Sequence, residues 1–73
     1  MAKVEVRSEI AGNVWLVEVE AGATVAVDDT LIILESMKME IPIDAPSAGK
    51  VVEVRVAKDD VVAEGDLIAI LET

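Results

Sequence analysis

The chain has 73 residues, with 6 basic and 15 acidic side chains, a formal net charge of -9, no cysteine and no histidine. This composition excludes disulfides and thiol chemistry, removes the commonest general base, and argues against nucleic-acid partners, because phosphate backbones need clustered Lys and Arg. No uncharged apolar run approaches the ~18 residues of a membrane span, so no membrane partner is expected. The length predicts a single domain, residues 1–73, near the lower limit for a self-sufficient core.

Alternating polar and apolar side chains predict short strands separated by frequent turns, and no segment keeps a 3.6-residue period. In chain order the predicted strands are residues 3–7, 15–20, 24–27, 30–35, 40–44, 52–57, 61–62 and 67–72. Pro42 indicates an edge or irregular position. Trp15, the single aromatic residue, alternates with Val17 and Val19 and is therefore predicted to face the core. The predicted fold class is all-β.

An internal repeat divides the chain into two similar halves. Residues 11–14 (AGNV) match residues 48–51 (AGKV) at an offset of 37, and residues 31–36 resemble residues 67–73. Two copies are too few for a solenoid. They predict two similar sheets around a pseudo-twofold axis, with Lys38 at the junction of the copies. Lys38 and the chain termini should then lie at opposite ends of a flattened sandwich.

The junction, Met37-Lys38-Met39, is the candidate site. Two predicted strands meet there without the Gly or Asn that tight hairpin turns favour, which indicates a functional constraint. A lysine amine on a long stem at an exposed tip can carry an acyl-linked cofactor. Since nothing in the chain would deprotonate the amine, a ligase must supply that step. On these residues alone, a solubility lysine flanked by core-filling methionines remains the alternative.

From Val4 to Glu72 the chain resembles the biotinyl/lipoyl attachment family. The resemblance rests on residues 35–39 (ESMKM), 45–51 (APSAGKV) and 64–68 (EGDLI). It implies a barrel-sandwich hybrid of two four-stranded antiparallel sheets, with Lys38 as the residue modified by biotin or lipoate. The residues implied to contact the ligase are Glu35, Ser36, Met37 and Met39. The sequence departs from the family pattern at two places: Ser36 replaces the usual Ala, and Asp28-Asp29 replaces the usual Gly-Asp. The two near-equal copies also leave no room for the "thumb" loop that some carriers have in their first half.

The resemblance implies a non-catalytic carrier rather than an enzyme. Its partners would be a biotin protein ligase, a biotin carboxylase and a carboxyltransferase, between whose sites the attached biotin moves carboxyl groups. A lipoyl carrier on Lys38, served by a lipoyl ligase, is the alternative cofactor assignment, and an unmodified adaptor is a third function. The Met start, together with the lack of an Ala/Pro-rich linker, suggests a free-standing carrier, and an excised domain is the alternative. The absence of a visible signal peptide indicates a cytoplasmic setting. No metal site is expected, because the Asp pairs lack the spacing of a calcium loop.

Overall fold

The computed structural model describes residues 2–73, which form eight strands. The strands are β1 (Lys3–Arg7), β2 (Gly12–Val17), β3 (Thr24–Val25), β4 (Thr30–Ser36), β5 (Met39–Asp44), β6 (Gly49–Val54), β7 (Val61–Val62) and β8 (Leu67–Glu72). The number of predicted strands is confirmed, although β2 and β6 begin three residues earlier than expected. Between residues 2 and 73 there is no helix long and apolar enough to cross a membrane.

The strands form two four-stranded antiparallel sheets. The terminal sheet has the order β1-β8-β6-β3 and contains the first and last strands, whereas the tip sheet has the order β5-β4-β2-β7 and contains the β4–β5 hairpin. The sequence offset of 37 residues converts each strand of one sheet into the corresponding strand of the other. The predicted pseudo-twofold sandwich is therefore confirmed, and β5 with its Pro42 does lie at a sheet edge.

The core between the sheets is aliphatic. Its buried hydrophobic residues are Val6, Val14, Val25, Leu31, Ile32, Leu34, Ala45, Val51, Val62, Ile68, Ala69 and Leu71. Half of them come from β4 and β8, the strands next to the edges in their sheets. Burying a Leu, Ile or Val side chain stabilises the folded state by about 1.5–3 kcal/mol, so these two strands anchor the sandwich. β4 leads directly into the Lys38 tip.

Trp15 does not lie in the core, so that prediction was wrong. In the β2–β4 register Val14 pairs with Leu34 and Leu16 pairs with Ile33, which leaves Trp15 as the extra residue of a β-bulge. A bulge interrupts the two-residue alternation on which the prediction depended. Trp15 is consequently 39% exposed, while Val17 still packs against the core. An equivalent irregularity occurs in β6, between Val51 and Glu53.

The turns before β4 and β8 are built alike. Asp28 has a φ of 71° where the second copy has Gly65 at 90°. Each turn is closed by an aspartate that accepts a backbone hydrogen bond from the residue three positions earlier: Asp29 Oδ2 accepts at 2.9 Å and Asp66 Oδ2 at 2.8 Å. Asp tolerates the left-handed region better than most residues with a Cβ. The Asp28 departure from the family pattern is thus accommodated by the fold.

The hairpin tip and the chain termini lie at opposite ends of a molecule that measures 37 × 18 × 17 Å. β5 runs away from the tip and ends at Asp44, and four residues connect it to Gly49, which contacts the last residues of β8. At that end the Thr73 amide donates a 2.9 Å hydrogen bond to the Ala2 carbonyl, so the first and last described residues lie together. The predicted placement is confirmed.

Candidate functional site

The β4–β5 hairpin turns through two residues only, Met37 and Lys38. Ser36 pairs with Met39 across the hairpin, so Met39 already belongs to β5. Met37 has a φ of 52° and Lys38 a φ of 65°, and positive φ at both central residues characterises type I′ hairpin turns. Such turns favour Asn and Gly, and holding a residue with a longer side chain there costs on the order of 1 kcal/mol. The sequence thus departs from the turn's backbone preference at the lysine itself.

The side chains of the turn project into solvent. Met37 is 91% exposed and Met39 is 62% exposed, so neither fills the core. Lys38 is also exposed, and its ammonium group makes no hydrogen bond or ion pair with residues 2–73. The geometry therefore presents a primary amine between two apolar, flexible side chains, all three accessible to a large partner.

Close backbone packing supports the hairpin from below. A Cβ on Gly12 would lie 2.9 Å from the carbonyl oxygen of Glu35, a distance that real Cβ atoms do not adopt. Gly12 is therefore a close-packing residue of β2 and not a turn residue, and the same holds for Gly49 in β6, whose Cβ would lie 2.7 Å from the Glu72 carbonyl oxygen. Without the glycine at position 12, β2 could not approach β4 so closely at the base of the tip.

Carboxylates flank the amine without pairing with it. Glu35 lies directly opposite Glu40 in the hairpin, and Asn13 lies on the other side of Glu35. We call this set the tip row. Like charges placed directly opposite one another in a sheet are destabilising. Within residues 2–73 no group of three or more His, Cys, Asp or Glu side chains could hold a metal ion.

The structure brings together all of the predicted site residues. Lys38 lies at the tip, Met37 and Met39 flank it, and Glu35 and Ser36 precede it at the end of β4, where Ser36 is half-buried. Glu40, two residues after Lys38, was not among the predicted site residues. Alignment of the two copies does distinguish Glu40, because it occupies the position at which the other copy has Lys3.

These residues fit a covalently attached cofactor. The amine is exposed, it is held on a two-residue turn between two paired strands, and no described side chain competes for it. An amide bond to a cofactor carboxyl group needs an accessible amine and no preformed pocket. The arrangement therefore suits attachment to Lys38 rather than noncovalent binding at the tip.

Comparison with known proteins places this geometry in a family. The family model described as "Biotin-requiring enzyme" matches residues 2–71. A "Biotinylated protein TB7.3 homolog" of Mycobacterium leprae is 48% identical over 67 residues, covering 92% of this chain and 94% of the relative. A "Biotin/lipoyl attachment protein" of Bacillus subtilis is 48% identical over 60 residues, covering 82% of each chain.

The fold also matches a solved structure. The Kluyveromyces lactis urea carboxylase contains a region that superposes with a TM-score of 0.92 at 32% identity, covering 99% of this chain and 6% of the carboxylase chain. The match supports the two-sheet architecture over almost every residue, including the hairpin. On these similarities, the chain belongs to the biotin/lipoyl attachment family.

Proposed function

We propose that this protein is a non-catalytic carrier in which biotin is amide-linked to Lys38. The observation that carries the proposal is the β4–β5 turn, where Met37 and Lys38 both adopt positive φ and leave the amine exposed. Met and Lys disfavour positive φ, so the conformational preferences of the chain do not explain their presence in this turn. A functional requirement for the lysine side chain does explain it. The name of the Mycobacterium leprae relative, a biotinylated protein, supports the same assignment.

The protein's own residues would position the amine and leave the chemistry to partner enzymes. β4 and β5 pair with each other up to the turn, and the long lysine side chain supplies reach. The ligase removes a proton from Nζ and presents an activated carboxyl group, so that an amide bond forms and the activating group departs. When attached, biotin supplies the group that carries a carboxyl unit between a biotin carboxylase site and a carboxyltransferase site.

The flanking methionines favour biotin over lipoate. In the family that the sequence resembles, Met on both sides of the lysine accompanies biotin, whereas Asp before the lysine and Ala after it accompany lipoate. The exposure of Met37 and Met39 makes both available for a ligase to contact. Lipoate on the same Lys38 remains the second candidate, because the name of the Bacillus subtilis relative includes both cofactors.

The experiment is coexpression with a biotin protein ligase, followed by intact-mass measurement of the parent and of two variants. We expect one biotinyl group on the parent and none on Lys38→Arg. Lys58→Arg is the matched control, because Lys58 is an exposed lysine in the turn between β6 and β7, and it should label like the parent. Biotin on Lys38→Arg would contradict the site, and an unlabelled parent would contradict the cofactor.

A further inference from the structure

The outer face of the tip sheet has an apolar centre. Ile33 lies between the buried residues Ile32 and Leu34, and since side chains alternate along a strand, Ile33 points away from the core. Its direct partners across the sheet are Pro42 and Leu16, which therefore share that outer face. The exposed indole of Trp15, next to Leu16 in the bulge, continues the surface. We call the set of Trp15, Leu16, Ile33 and Pro42 the apolar strip.

The terminal sheet provides an internal reference for this surface. Its equivalent central residue is Ile70, which is half-buried between the core residues Ala69 and Leu71. The direct partners of Ile70 are Glu5 and Glu53, two charged residues in place of Pro42 and Leu16. Each glutamate forms an ion pair, Glu5 with Arg7 at 3.0 Å and Glu53 with Arg55 at 3.5 Å. The same fold position is therefore solvated on one face and apolar on the other.

Charge separates the two sheets as well. The four strands of the tip sheet contain no Lys or Arg, and their acidic residues are Glu35, Glu40 and Asp44. The strands of the terminal sheet contain both signs, namely Lys3, Arg7 and Lys50 with Glu5, Glu53 and Glu72. An apolar strip on strands whose charged side chains are all carboxylates is complementary to a protein surface with an apolar centre and a basic border. A second copy of this face is a poor partner, because its carboxylates would repel.

We propose that the outer face of the tip sheet is the docking surface for the ligase that modifies Lys38, with the apolar strip at its centre and Glu35 and Glu40 towards the tip. This inference rests on the proposed function. The ligase surface that fits has aliphatic or aromatic side chains surrounded by Arg and Lys. The terminal sheet, with its mixed and internally paired charges, remains outside the contact.

The distances suit a single interface. Ile33 precedes Lys38 by five residues, which corresponds to roughly 17 Å along an extended strand. A typical protein–protein interface buries about 800 Å² on each partner, a patch on the order of 30 Å across. A ligase that encloses the Lys38 amine would therefore extend over the apolar strip when it approaches from the tip-sheet side. Tryptophans that become buried in an interface are among the residues that most often dominate its binding energy. Trp15, which is exposed in the free protein, would become buried in this way when the ligase binds.

The first test compares Ile33→Glu with its repeat-matched control, Ile70→Glu. Both changes put a carboxylate on a half-buried isoleucine, and Ile70→Glu also faces Glu5 and Glu53, so any loss of folding should be at least as large in the control. With biotin protein ligase and saturating ATP and biotin, we expect Ile33→Glu to raise KM for the carrier about tenfold or more with little change in kcat. Ile70→Glu should stay within about twofold of the parent. Equal KM values for the two variants would overturn the proposal.

A second pair of variants, with less disruptive substitutions, covers the case in which the glutamate variants do not fold. Trp15→Val installs the residue that the second copy carries at the equivalent bulge position, Val52, so the fold should tolerate it. Val52→Ala is the control on the terminal sheet. We expect Trp15→Val to raise KM about tenfold and Val52→Ala to leave KM unchanged. A parent-like KM for Trp15→Val would count against the strip.

A direct binding measurement separates this proposal from the carrier function. Trp15 is the only tryptophan, so its indole N–H gives one signal in nitrogen-15-labelled protein. Titration of the Lys38→Arg variant, which cannot be modified, with unlabelled ligase should shift or broaden that signal together with those of Met37 and Met39. An unchanged indole signal beside a perturbed tip would overturn the docking face alone. A parent that accepts no biotin would instead overturn the proposed function and, with it, this choice of occupant.

Discussion

The two ends of the sandwich are equivalent by the internal repeat, yet they carry opposite arrangements of charge. At the terminal end Glu72 lies between Lys3 and Lys50, its partners on β1 and β6. At the tip end, Glu35 occupies the place of Glu72, but its partners are Glu40 and Asn13. Opposite charges across strands stabilise a sheet and like charges destabilise it. The terminal end is thus arranged for stability, and the tip end gives up part of that stability.

The turns repeat the same contrast. The remaining described residues with positive φ are Gly22, Asp28, Asp59 and Gly65, all of types that accept the left-handed region. At the tip the residues with positive φ are Met37 and Lys38, which do not. The facing like charges and the residues that are unfavourable at positive φ therefore both occur in the β4–β5 hairpin. Coincident departures from local stability are what a functional site is expected to show.

The largest effect is expected from the two close-packed glycines, one at each end. Gly12→Ala and Gly49→Ala would each push a Cβ against a backbone carbonyl oxygen, at 2.9 and 2.7 Å, and should each reduce the free energy of unfolding by about 1–3 kcal/mol. Urea denaturation measures both. Gly12→Ala should also slow biotinylation several-fold at a temperature where it is folded, because Glu35 belongs to the site.

Gly49→Ala is the control at the terminal end and should biotinylate at the parent's rate. If the two alanine variants lose stability equally but also label equally, the position of β4 at the base of the tip does not matter to the ligase.

The cofactor preference should change with the residues on either side of Lys38. Met37→Asp combined with Met39→Ala is expected to lower the initial rate of biotinylation about tenfold, or ~1.4 kcal/mol, and to raise that of lipoylation. The reason is that a ligase cleft suited to an apolar methionine would have to desolvate the new carboxylate. Initial rates with each ligase on parent and variant measure the effect, with circular dichroism as the check on folding. Unchanged biotinylation of the double variant would place the preference elsewhere on the surface.

Charge reversals at the two ends should change the free energy of unfolding by a smaller amount, with an increase at the tip end and a decrease at the terminal end. Glu40→Lys puts a cation opposite Glu35 and should increase the free energy of unfolding by about 0.5 kcal/mol at low salt, whereas Lys3→Glu should decrease it by a similar amount. Both differences should shrink at high salt, since exposed charges are screened. Denaturation curves at two ionic strengths test this. Differences that do not depend on salt would show that the two ends of the sandwich differ by something other than charge.

The sequence predicted the architecture well because the repeat and the strand alternation depend on local side-chain patterns. The eight strands, the pseudo-twofold sandwich and the position of the tip follow from those patterns and agree with the structure. The family resemblance placed Lys38, and the structure adds the positive φ angles of the turn. The cytoplasmic setting and the single-domain extent of 1–73 stay predictions.

What the sequence could not predict depends on register. A bulge moves Trp15 to the outer face, and no pattern in a single strand reveals where an extra residue will be accommodated. The facing pair of Glu35 and Glu40 and the apolar strip are cross-strand features, which the pattern of a single strand does not show. The repeat could have indicated them, because aligning the halves sets Glu40 against Lys3 and Leu16 against Glu53.

The most direct test of the carrier assignment is an intact-mass and peptide-mapping measurement on this protein purified from its native cells. We expect a population that carries one biotinyl group, with that group on the peptide containing Lys38 and on no other lysine. A lipoyl group on Lys38 would retain the carrier but contradict the biotin assignment. A protein that is wholly unmodified in cells with an active biotin ligase, or modified at a different lysine, would contradict the central claim.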